Sequence, residues 1–403
     1  MLNHVRHLRK ARALGPLSTI AALGLLWFGA ISAAATGSSG CTLDRTELQP
    51  EAAIAPCTTL LESATLSDHE RASALFVRGR AYHRTKRLDL ALRDYDSALK
   101  LAPNDEEILL SRSNLFLRQG YWRRYVADVE RATQINPSNP HVLTAAGTLY
   151  RNSGNLPMAL EYYSRAIAAP PKDAFAFLSR MEVYRLLHDF PHATADADAA
   201  VRLTAEAAQT KPLGYLDEDG NVRDFLVVAL TKRAGVLEDA GQLQRSQQDY
   251  NAAVARDTSG LALLRRGEFY MNAPGRQDAA IADLHESLRR EPDNAGASYT
   301  LGLVLIEQKK YAEALEAFDR ALAARPRFGY ALFMRAKMHR QFGRTDDAVN
   351  DLMHAIAVDG RVLPLTLPAM RRAGYWTSQD VPDHMSPELA DAIRACMIDV
   401  QCN

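Results

Sequence analysis

The chain has 403 residues, and its 48 lysines and arginines balance its 48 aspartates and glutamates, so the formal net charge is zero. Hydrophobic residues make up 47% of the sequence and charged residues 24%, which excludes a disordered chain and a protein with many membrane spans. The neutral balance also disfavours a general nucleic-acid-binding protein, because such proteins usually carry an excess of basic residues.

Residues 1–35 have the pattern of a leader that directs a chain out of the cytoplasm. A basic start that ends at Arg12 precedes a mostly apolar stretch over residues 14–35, and three alanines at 33–35 supply a small-x-small cleavage site. Three interpretations stay open: a cleaved signal peptide, an uncleaved membrane anchor, or a lipoprotein modified at Cys41. Each of them places the rest of the chain in the periplasm or elsewhere in the cell envelope.

Residues 72–360 repeat one pattern in eight rows of 34 residues, with one extra residue in the sixth row and one insertion. Counted from residue 72 as position 1, position 8 is small in seven rows, and positions 20 and 27 carry mostly alanine. Small residues at these positions allow two antiparallel helices to pack closely, and the glycine at position 15 of four rows suits the turn between them. Proline stands at position 32 of five rows, where it ends the second helix: Pro103, Pro137, Pro171, Pro292 and Pro326.

This pattern resembles the tetratricopeptide repeat, a helix–turn–helix unit of 34 residues. The resemblance implies an all-α fold, in which the repeats stack into a right-handed superhelical solenoid. The cysteine-bearing segment before the repeats makes the chain similar, more narrowly, to bacterial exported tetratricopeptide proteins. We divide the chain into six segments: a leader (1–35), an amino-terminal cap with a cysteine pair (36–71), repeats 1–4 (72–205), an inserted loop or hairpin (206–226), repeats 5–8 (227–360) and a carboxy-terminal cap with a second cysteine pair (361–403).

Four cysteines lie near the two ends of the chain, and none lies between. Exported proteins commonly pair their cysteines, and a repeat of a solenoid contacts only its neighbours, so cross-links between the two ends are disfavoured. We therefore predict the disulfides Cys41–Cys57 and Cys396–Cys402. A zinc site is disfavoured because the spacings are wide and no histidine stands beside either pair.

Six of the eight rows carry arginine at position 7 and aspartate at position 23, and the two remaining rows lack both. The rows without the pair have Ala146 with Tyr162 and Leu301 with Ala317. Because the two residue types occur together or not at all, and lie on the two helices of one repeat, we predict six ion pairs within repeats. They are Arg78–Asp94, Arg112–Asp128, Arg180–Asp196, Arg233–Asp249, Arg266–Asp283 and Arg335–Asp351.

By the same resemblance, positions 2, 5, 9, 12 and 13 of the first helices line a concave groove that holds a segment of a partner protein. The candidate partner-binding residues at these positions are basic or aromatic: Arg80, Arg84, Arg118, Arg151, Tyr299, Tyr330, Phe333, Lys337 and Arg340. Such side chains suit an acidic or mixed peptide through charge pairing and aromatic contact. The alternative is a solvated groove whose charges only aid solubility.

The sequence contains no glycine-rich phosphate loop, zinc motif or nucleophile elbow, so we predict no enzyme, no cofactor and no metal site. The main functional hypothesis is an exported, non-enzymatic scaffold whose groove binds another protein in the cell envelope. The alternative is a membrane-anchored scaffold that supports envelope assembly by self-association. We expect no nucleic-acid partner, and membrane contact only through residues 14–35 if they are not cleaved.

Overall fold

The computed structural model describes residues 40–399, with gaps at residues 44–45, 47–48, 171, 211–213, 217–221 and 378–385. The predicted leader lies outside the described residues. No helix among the described residues is long and apolar enough to cross a membrane. The chain divides into two compact units: unit 1 ends at Ala253, and unit 2 begins at Val254.

Unit 1 starts with helix α1 (Pro50–Leu61), and five helix pairs follow it. The pairs, numbered as repeats 1 to 5, are α2 (Asp68–Arg84) with α3 (Leu88–Leu101), α4 (Glu106–Arg118) with α5 (Trp122–Ile135), α6 (Pro140–Asn152) with α7 (Leu156–Ala168), α8 (Ala174–Leu186) with α9 (Phe190–Thr210), and α10 (Phe225–Asp239) with α11 (Leu243–Arg256). The first helix of each repeat packs against the second helix of that repeat and against the first helices of neighbouring repeats in the unit.

Unit 2 contains repeats 6 to 8 and the carboxy-terminal cap. The repeats are α12 (Leu261–Met271) with α13 (Gln277–Arg290), α14 (Ala295–Glu307) with α15 (Tyr311–Ala324), and α16 (Gly329–Gln341) with α17 (Thr345–Val358). A 3₁₀ turn (Gly360–Val362) leads into α18 (Leu363–Arg372), and α19 (Pro387–Ile398) packs on α17 and α18. The predicted all-α fold of helix–turn–helix repeats is thus confirmed.

Close packing of the two helices in a repeat depends on the small residue at position 8. A Cβ atom added to Gly147 would lie 2.6 Å from Cε1 of Tyr163, and one added to Gly302 would lie 2.5 Å from Cε1 of Phe318. Both rings stand at position 24 and are fully buried. Each ring therefore fills the space that the glycine leaves, and the pair fixes the distance between the two helices.

The insertion between repeats 4 and 5 contains a short hairpin. Strand β1 (Gly214–Leu216) pairs antiparallel with strand β2 (Val222–Asp224), and the residues between 216 and 222 lie outside the described part of the chain. The side chain of Asp224 accepts a hydrogen bond from the backbone N–H of Leu226. The last residue of the hairpin thereby caps α10, so the chain returns directly into the next repeat.

Disulfides and a helix cap stand at the two ends. Cys41 is bonded to Cys57, with the two Cα atoms 4.7 Å apart, and this link ties the segment before α1 to α1 itself. At the other end, the Ser386 hydroxyl caps α19 by accepting a backbone hydrogen bond. Cys396 is disulfide-bonded, and Cys402, its predicted partner, lies outside the described residues.

The six predicted arginine–aspartate pairs are confirmed. In each pair, Nε and Nη2 of the arginine donate hydrogen bonds of 2.7–2.9 Å to the two carboxylate oxygens of the aspartate. This two-point contact is the strongest geometry available to arginine and carboxylate. The aspartates are buried, while the arginine side chains keep a fifth to a quarter of their surface exposed. These arginines therefore hold repeats together and are not available to a partner.

The two repeats without the pair replace it by other contacts. In repeat 3, Tyr162 stacks on Tyr150 with ring centroids 5.2 Å apart, and the guanidinium of Arg165 lies over the Tyr162 ring. In repeat 7, Leu301 and Ala317 are fully buried, so an apolar contact stands where the other repeats have charges. Removing both charges leaves no buried charge without a partner, which explains why the two residue types change together.

Candidate partner-binding surface

Repeats 1 and 2 bring four basic side chains together on their first helices. Arg80, His83 and Arg84 occupy positions 9, 12 and 13 of repeat 1, and Arg118 occupies position 13 of repeat 2. We call these four residues the basic cluster. Burial, followed by the charges of Arg118, Arg80 and Arg84, lowers the pKa of His83 to about 3, so its ring is neutral at pH 7. The Nε2 atom of this ring is buried and has no hydrogen-bond partner.

One carboxyl group faces the basic cluster. Burial raises the pKa of Glu107 to about 7, although the charge of Arg80 acts in the opposite direction. Its Oε2 atom is buried without a hydrogen-bond partner. Near pH 7 this carboxyl group is about half protonated, so it offsets the arginine charges only in part. The surroundings of the cluster therefore favour an additional anionic group.

Repeats 3 to 5 also bring charged side chains together, but there carboxylates offset most of the positive charge. Nζ of Lys232 lies 2.8 Å from Glu182, Nη1 of Arg185 lies 3.5 Å from the same carboxylate, and Nε of Arg185 lies 2.5 Å from Asp239. Burial would raise the pKa of Glu182, but Lys232, Arg185 and Arg151 outweigh it and hold that pKa at about 2. We call Arg151, Glu182, Arg185, Lys232 and Asp239 the balanced network, which connects three consecutive first helices. Its three cations face two carboxylates, so its net positive charge is smaller than that of the basic cluster.

Two of the predicted partner-binding residues in unit 1 are buried. Arg151 is 2% exposed because it lies within the balanced network beside Glu182 of the next repeat, and its assignment to a partner stays a prediction. Arg84 is 7% exposed, so it acts on the groove through its charge more than through contact. Arg80 and Arg118 are partly exposed and stay candidates. The position of an arginine within its repeat could not predict whether it is buried, because burial at position 12 depends on the residue in the neighbouring row.

In unit 2, the predicted residues of repeat 8 contact the chain itself. Phe333 is 5% exposed, and Nζ of Lys337 lies 5.7 Å from the centre of its ring. The guanidinium of Arg361 lies 5.4 Å from the ring centre of Tyr330. Phe333 is packed in the core, and Tyr330 and Lys337 are half-buried against their own unit. The assignment of these three residues to a partner stays a prediction.

The carboxy-terminal cap also reaches the groove side of repeat 8. Arg340 donates a hydrogen bond to the backbone carbonyl of Asp399, the residue that follows α19. The hydroxyl of Tyr375 donates to the carboxylate of the same Asp399 at 2.9 Å. Tyr299 of repeat 7 packs against Phe328 with ring centroids 4.9 Å apart. The chain therefore supplies its own contacts where a partner was predicted.

Two contributors to these sites were absent from the sequence prediction. Lys232 stands at position 6, outside the groove positions, yet it reaches Glu182 from the next repeat. Opposite charges at positions 9 and 6 of adjacent rows are the signal that could have revealed this pair. Asp399 belongs to no repeat, so no periodic pattern could have placed it at Arg340. Among the described residues, no group of three or more histidines, cysteines, aspartates and glutamates could hold a metal ion.

Comparisons with known proteins place the repeats in a family. Models of the tetratricopeptide repeat match residues 273–327, 299–360 and 72–105. Human protein O-mannosyl-transferase TMTC3 is 27% identical over 241 residues, which cover 59% of this chain and 26% of that protein. Wheat (Triticum aestivum) Hsp70-Hsp90 organizing protein is 21% identical over 216 residues, which cover 53% of this chain and 34% of that protein.

A solved structure shares the fold. In the crystal structure of the APC/C hetero-tetramer Cut9-Hcn1, one chain superposes with a TM-score of 0.51 at 14% sequence identity. The superposition covers 79% of this chain and 59% of that chain. Identity this low reports the architecture alone. The matched segments cover only about a quarter to a third of the length of the two protein relatives described above. The activities of those whole proteins are therefore not assigned to this chain.

Proposed function

We propose, from the premise that the chain is a tetratricopeptide repeat protein, that it is an exported scaffold that binds a segment of another protein along the first helices of repeats 1 and 2. The basic cluster carries this proposal, because Arg80, Arg84 and Arg118 converge on one neutral, buried imidazole. Solenoids of stacked helix pairs present extended concave surfaces of this kind, which bind other proteins without catalysing a reaction. The name of the wheat relative, an organizing protein for Hsp70 and Hsp90, supports the same class of function.

The partner segment is acidic in this proposal. Guanidinium groups donate short, charge-assisted hydrogen bonds to carboxylates, and these bonds strengthen where water is excluded. In this proposal the partner adds an anion beside Arg80, because the carboxyl group of Glu107 is partly protonated near pH 7. The balanced network of repeats 3 to 5 offers no such site, so the acidic residues of the partner bind at repeats 1 and 2.

The proposed location outside the cytoplasm is supported by the leader pattern and by the disulfide between Cys41 and Cys57, since disulfides persist in oxidising compartments. We expect no catalytic activity. The transferase named among the relatives shares only 26% of its length with this chain, which gives that activity little support here. Mass spectrometry of the mature protein tests the leader: loss of residues 1–35 indicates a cleaved signal, and their retention favours the anchored, self-associating alternative.

Crosslinking and pull-down from envelope extract test the binding surface. We compare wild type with Arg80→Gln/Arg118→Gln, and use Arg93→Gln as a matched control, because Arg93 is exposed on the second helix of repeat 1. Loss of two charge-assisted contacts is expected to lower recovery of the partner at least tenfold, with a steep dependence on salt. The control is expected to match wild type. Equal recovery with the double variant would defeat the assignment of the partner to repeats 1 and 2.

A further inference from the structure

The large apolar side chains that unit 1 exposes all lie at turns between the first and second helices of repeats. Within the described residues of this unit they are Tyr121, Trp122, Leu186, Leu187 and Leu243. Because consecutive first helices of unit 1 pack side by side, these turns follow one another along one edge of the unit. We call this edge, formed by the turns of repeats 1 to 5, the turn edge. It was not predicted from the sequence, and it meets the groove at position 13, where Leu186 stands.

The turn of repeat 2 presents two aromatic rings from a firm base. The ring of Trp122 packs on buried Tyr125 at a centroid distance of 5.2 Å, and the ring of Tyr121 packs on buried Phe116 at 6.3 Å. The guanidinium of Arg124 lies over both Phe116 and Tyr121, at 5.5 and 5.7 Å. The outer faces stay open, with Tyr121 52% and Trp122 39% exposed. The two rings are therefore already held in place, so binding through them costs little side-chain conformational entropy.

Positive charge predominates on the turn edge at repeats 1 and 2, although Asp89 is exposed there and Arg87 is paired with Glu51. Lys86, Arg123 and Arg124 are exposed there beside the two aromatic rings. The loop that joins repeats 1 and 2 lies at the opposite edge of the unit, and its residues 102–107 include three carboxylates and no cation. The two edges of these repeats thus differ in charge, so an anionic surface would orient the unit with the turn edge toward it.

We propose that the turn edge of unit 1 binds the surface of an anionic lipid bilayer. Tyrosine and tryptophan favour the headgroup level of membranes, and arginines beside them contact lipid phosphates. The exposed leucines of repeats 4 and 5 provide a second apolar tip on the same edge. Separate tips along an edge suit a fluid surface, whereas a protein partner usually covers one contiguous patch. This contact is additional to any made by residues 14–35, and at repeat 2 it uses Tyr121 and Trp122, which lie outside the groove positions.

Fluorescence quenching by brominated lipid tests the proposal with the full chain. The sequence contains three tryptophans, Trp27, Trp122 and Trp376, so the difference between wild type and Trp122→Phe reports Trp122 alone. Vesicles of phosphatidylcholine with roughly 30 mol% phosphatidylglycerol supply the negatively charged surface. We expect Trp122-dependent quenching on these vesicles and much less on pure phosphatidylcholine. The leader is the same in both proteins, so any contact that it makes cancels in the difference.

Charge variants sharpen the test. Arg123→Gln/Arg124→Gln is expected to weaken the Trp122-dependent signal by roughly 25-fold in lipid concentration, since each arginine near an anionic surface contributes about fivefold. Phe342→Ala, which removes an exposed aromatic ring from a turn of unit 2, is the control and is expected to change nothing. Absence of Trp122-dependent quenching would overturn the proposal. So would a purified protein partner that requires Trp122 while the vesicles do not quench it.

Discussion

Units 1 and 2 are built from the same helix pair but carry different side chains at the same positions of their first helices. In unit 1, charged groups meet across repeats, as with Glu182 and Lys232. In unit 2, positions 9 and 12 of repeat 7 are Leu303 and Ile306, and Arg340 of repeat 8 contacts the cap of its own unit. The comparison teaches that the repeat pattern fixes how helices pack and leaves the chemistry of the groove free to differ between units.

The arginine–aspartate pairs are common to both units, and breaking one is expected to have the largest effect. Arg112→Met in unit 1 and Arg335→Met in unit 2 each leave a buried aspartate without its main partner, at a cost of about 3 kcal/mol in local stability. Hydrogen exchange of the amides in the affected repeat measures that cost. The double variant Arg335→Leu/Asp351→Ala reproduces the residue types of repeat 7 and is expected to recover most of the loss. A large cost in one unit and none in the other would contradict the common role.

The balanced network exists only in unit 1, and its acid sensitivity separates the units. The folded pKa of Glu182 is about 2, below its ordinary value of 4.5, so its contribution is fully present above pH 4.5 and is lost as the pH falls toward 2. The shift corresponds to about 3 kcal/mol. Glu182→Gln is therefore expected to destabilise unit 1 by about that amount at pH 7 and by progressively less between pH 4.5 and pH 2.

Urea titrations at several pH values, read by exchange of amides in each unit, measure this difference. The variant is expected to leave unit 2 unchanged, since the network lies within repeats 3 to 5. A loss that stays constant down to pH 2 would show that Glu182 stabilises unit 1 by packing and not by charge.

Two glycines in first helices of unit 1 provide a matched pair for the close contact between helices. Gly147→Ala drives a methyl group to within 2.6 Å of the Tyr163 ring, which is expected to cost about 2 kcal/mol. At Gly235 the nearest atom is 4.0 Å from the new methyl group, so Gly235→Ala is expected to stabilise the helix by about 0.5–1 kcal/mol. Thermal unfolding of both variants measures the difference. Equal effects would show that position 8 does not set the helix spacing.

Breaking one of the contacts that hold the end of the carboxy-terminal cap within unit 2 is expected to have the smallest effect. Tyr375→Phe removes one hydrogen bond to Asp399, and the loss is expected to be small because opening returns both groups to water. We expect faster hydrogen exchange in α19 and no change in repeats 1 to 5. Unchanged exchange in α19 would mean that the contact between Arg340 and the Asp399 carbonyl holds the cap by itself.

Most of what the sequence predicted is periodic, and the Cys41–Cys57 disulfide and the inserted hairpin are the non-periodic exceptions. The six ion pairs were predictable because Arg and Asp vanish together in the rows of Ala146 and Leu301. The burial of Phe333 was not predicted, because it depends on Lys337 and its other neighbours, which a position number does not describe. The turn edge was missed because its apolar residues differ in number and type from row to row. Contacts between repeats, and contacts with the cap, depend on three-dimensional packing, so they do not recur at a fixed spacing in the sequence.

In four of the six paired arginines, the third guanidinium nitrogen, Nη1, links the repeat to the one before it, and this affects how the array of repeats unfolds. Beyond its own aspartate, Nη1 donates to the preceding repeat: Arg112 to Asp96, Arg233 to Asp198 and Arg335 to Asp319, but Arg180 to the neutral hydroxyl of Ser164. Each such bond makes the melting of one repeat costly for the next, so neighbours unfold as a cooperative block. Repeats 3 and 7 carry no such arginine, so the junction between repeats 2 and 3 and the junction between repeats 6 and 7 lack this bond. These two junctions are therefore where heat or mechanical force is expected to separate one block from the next.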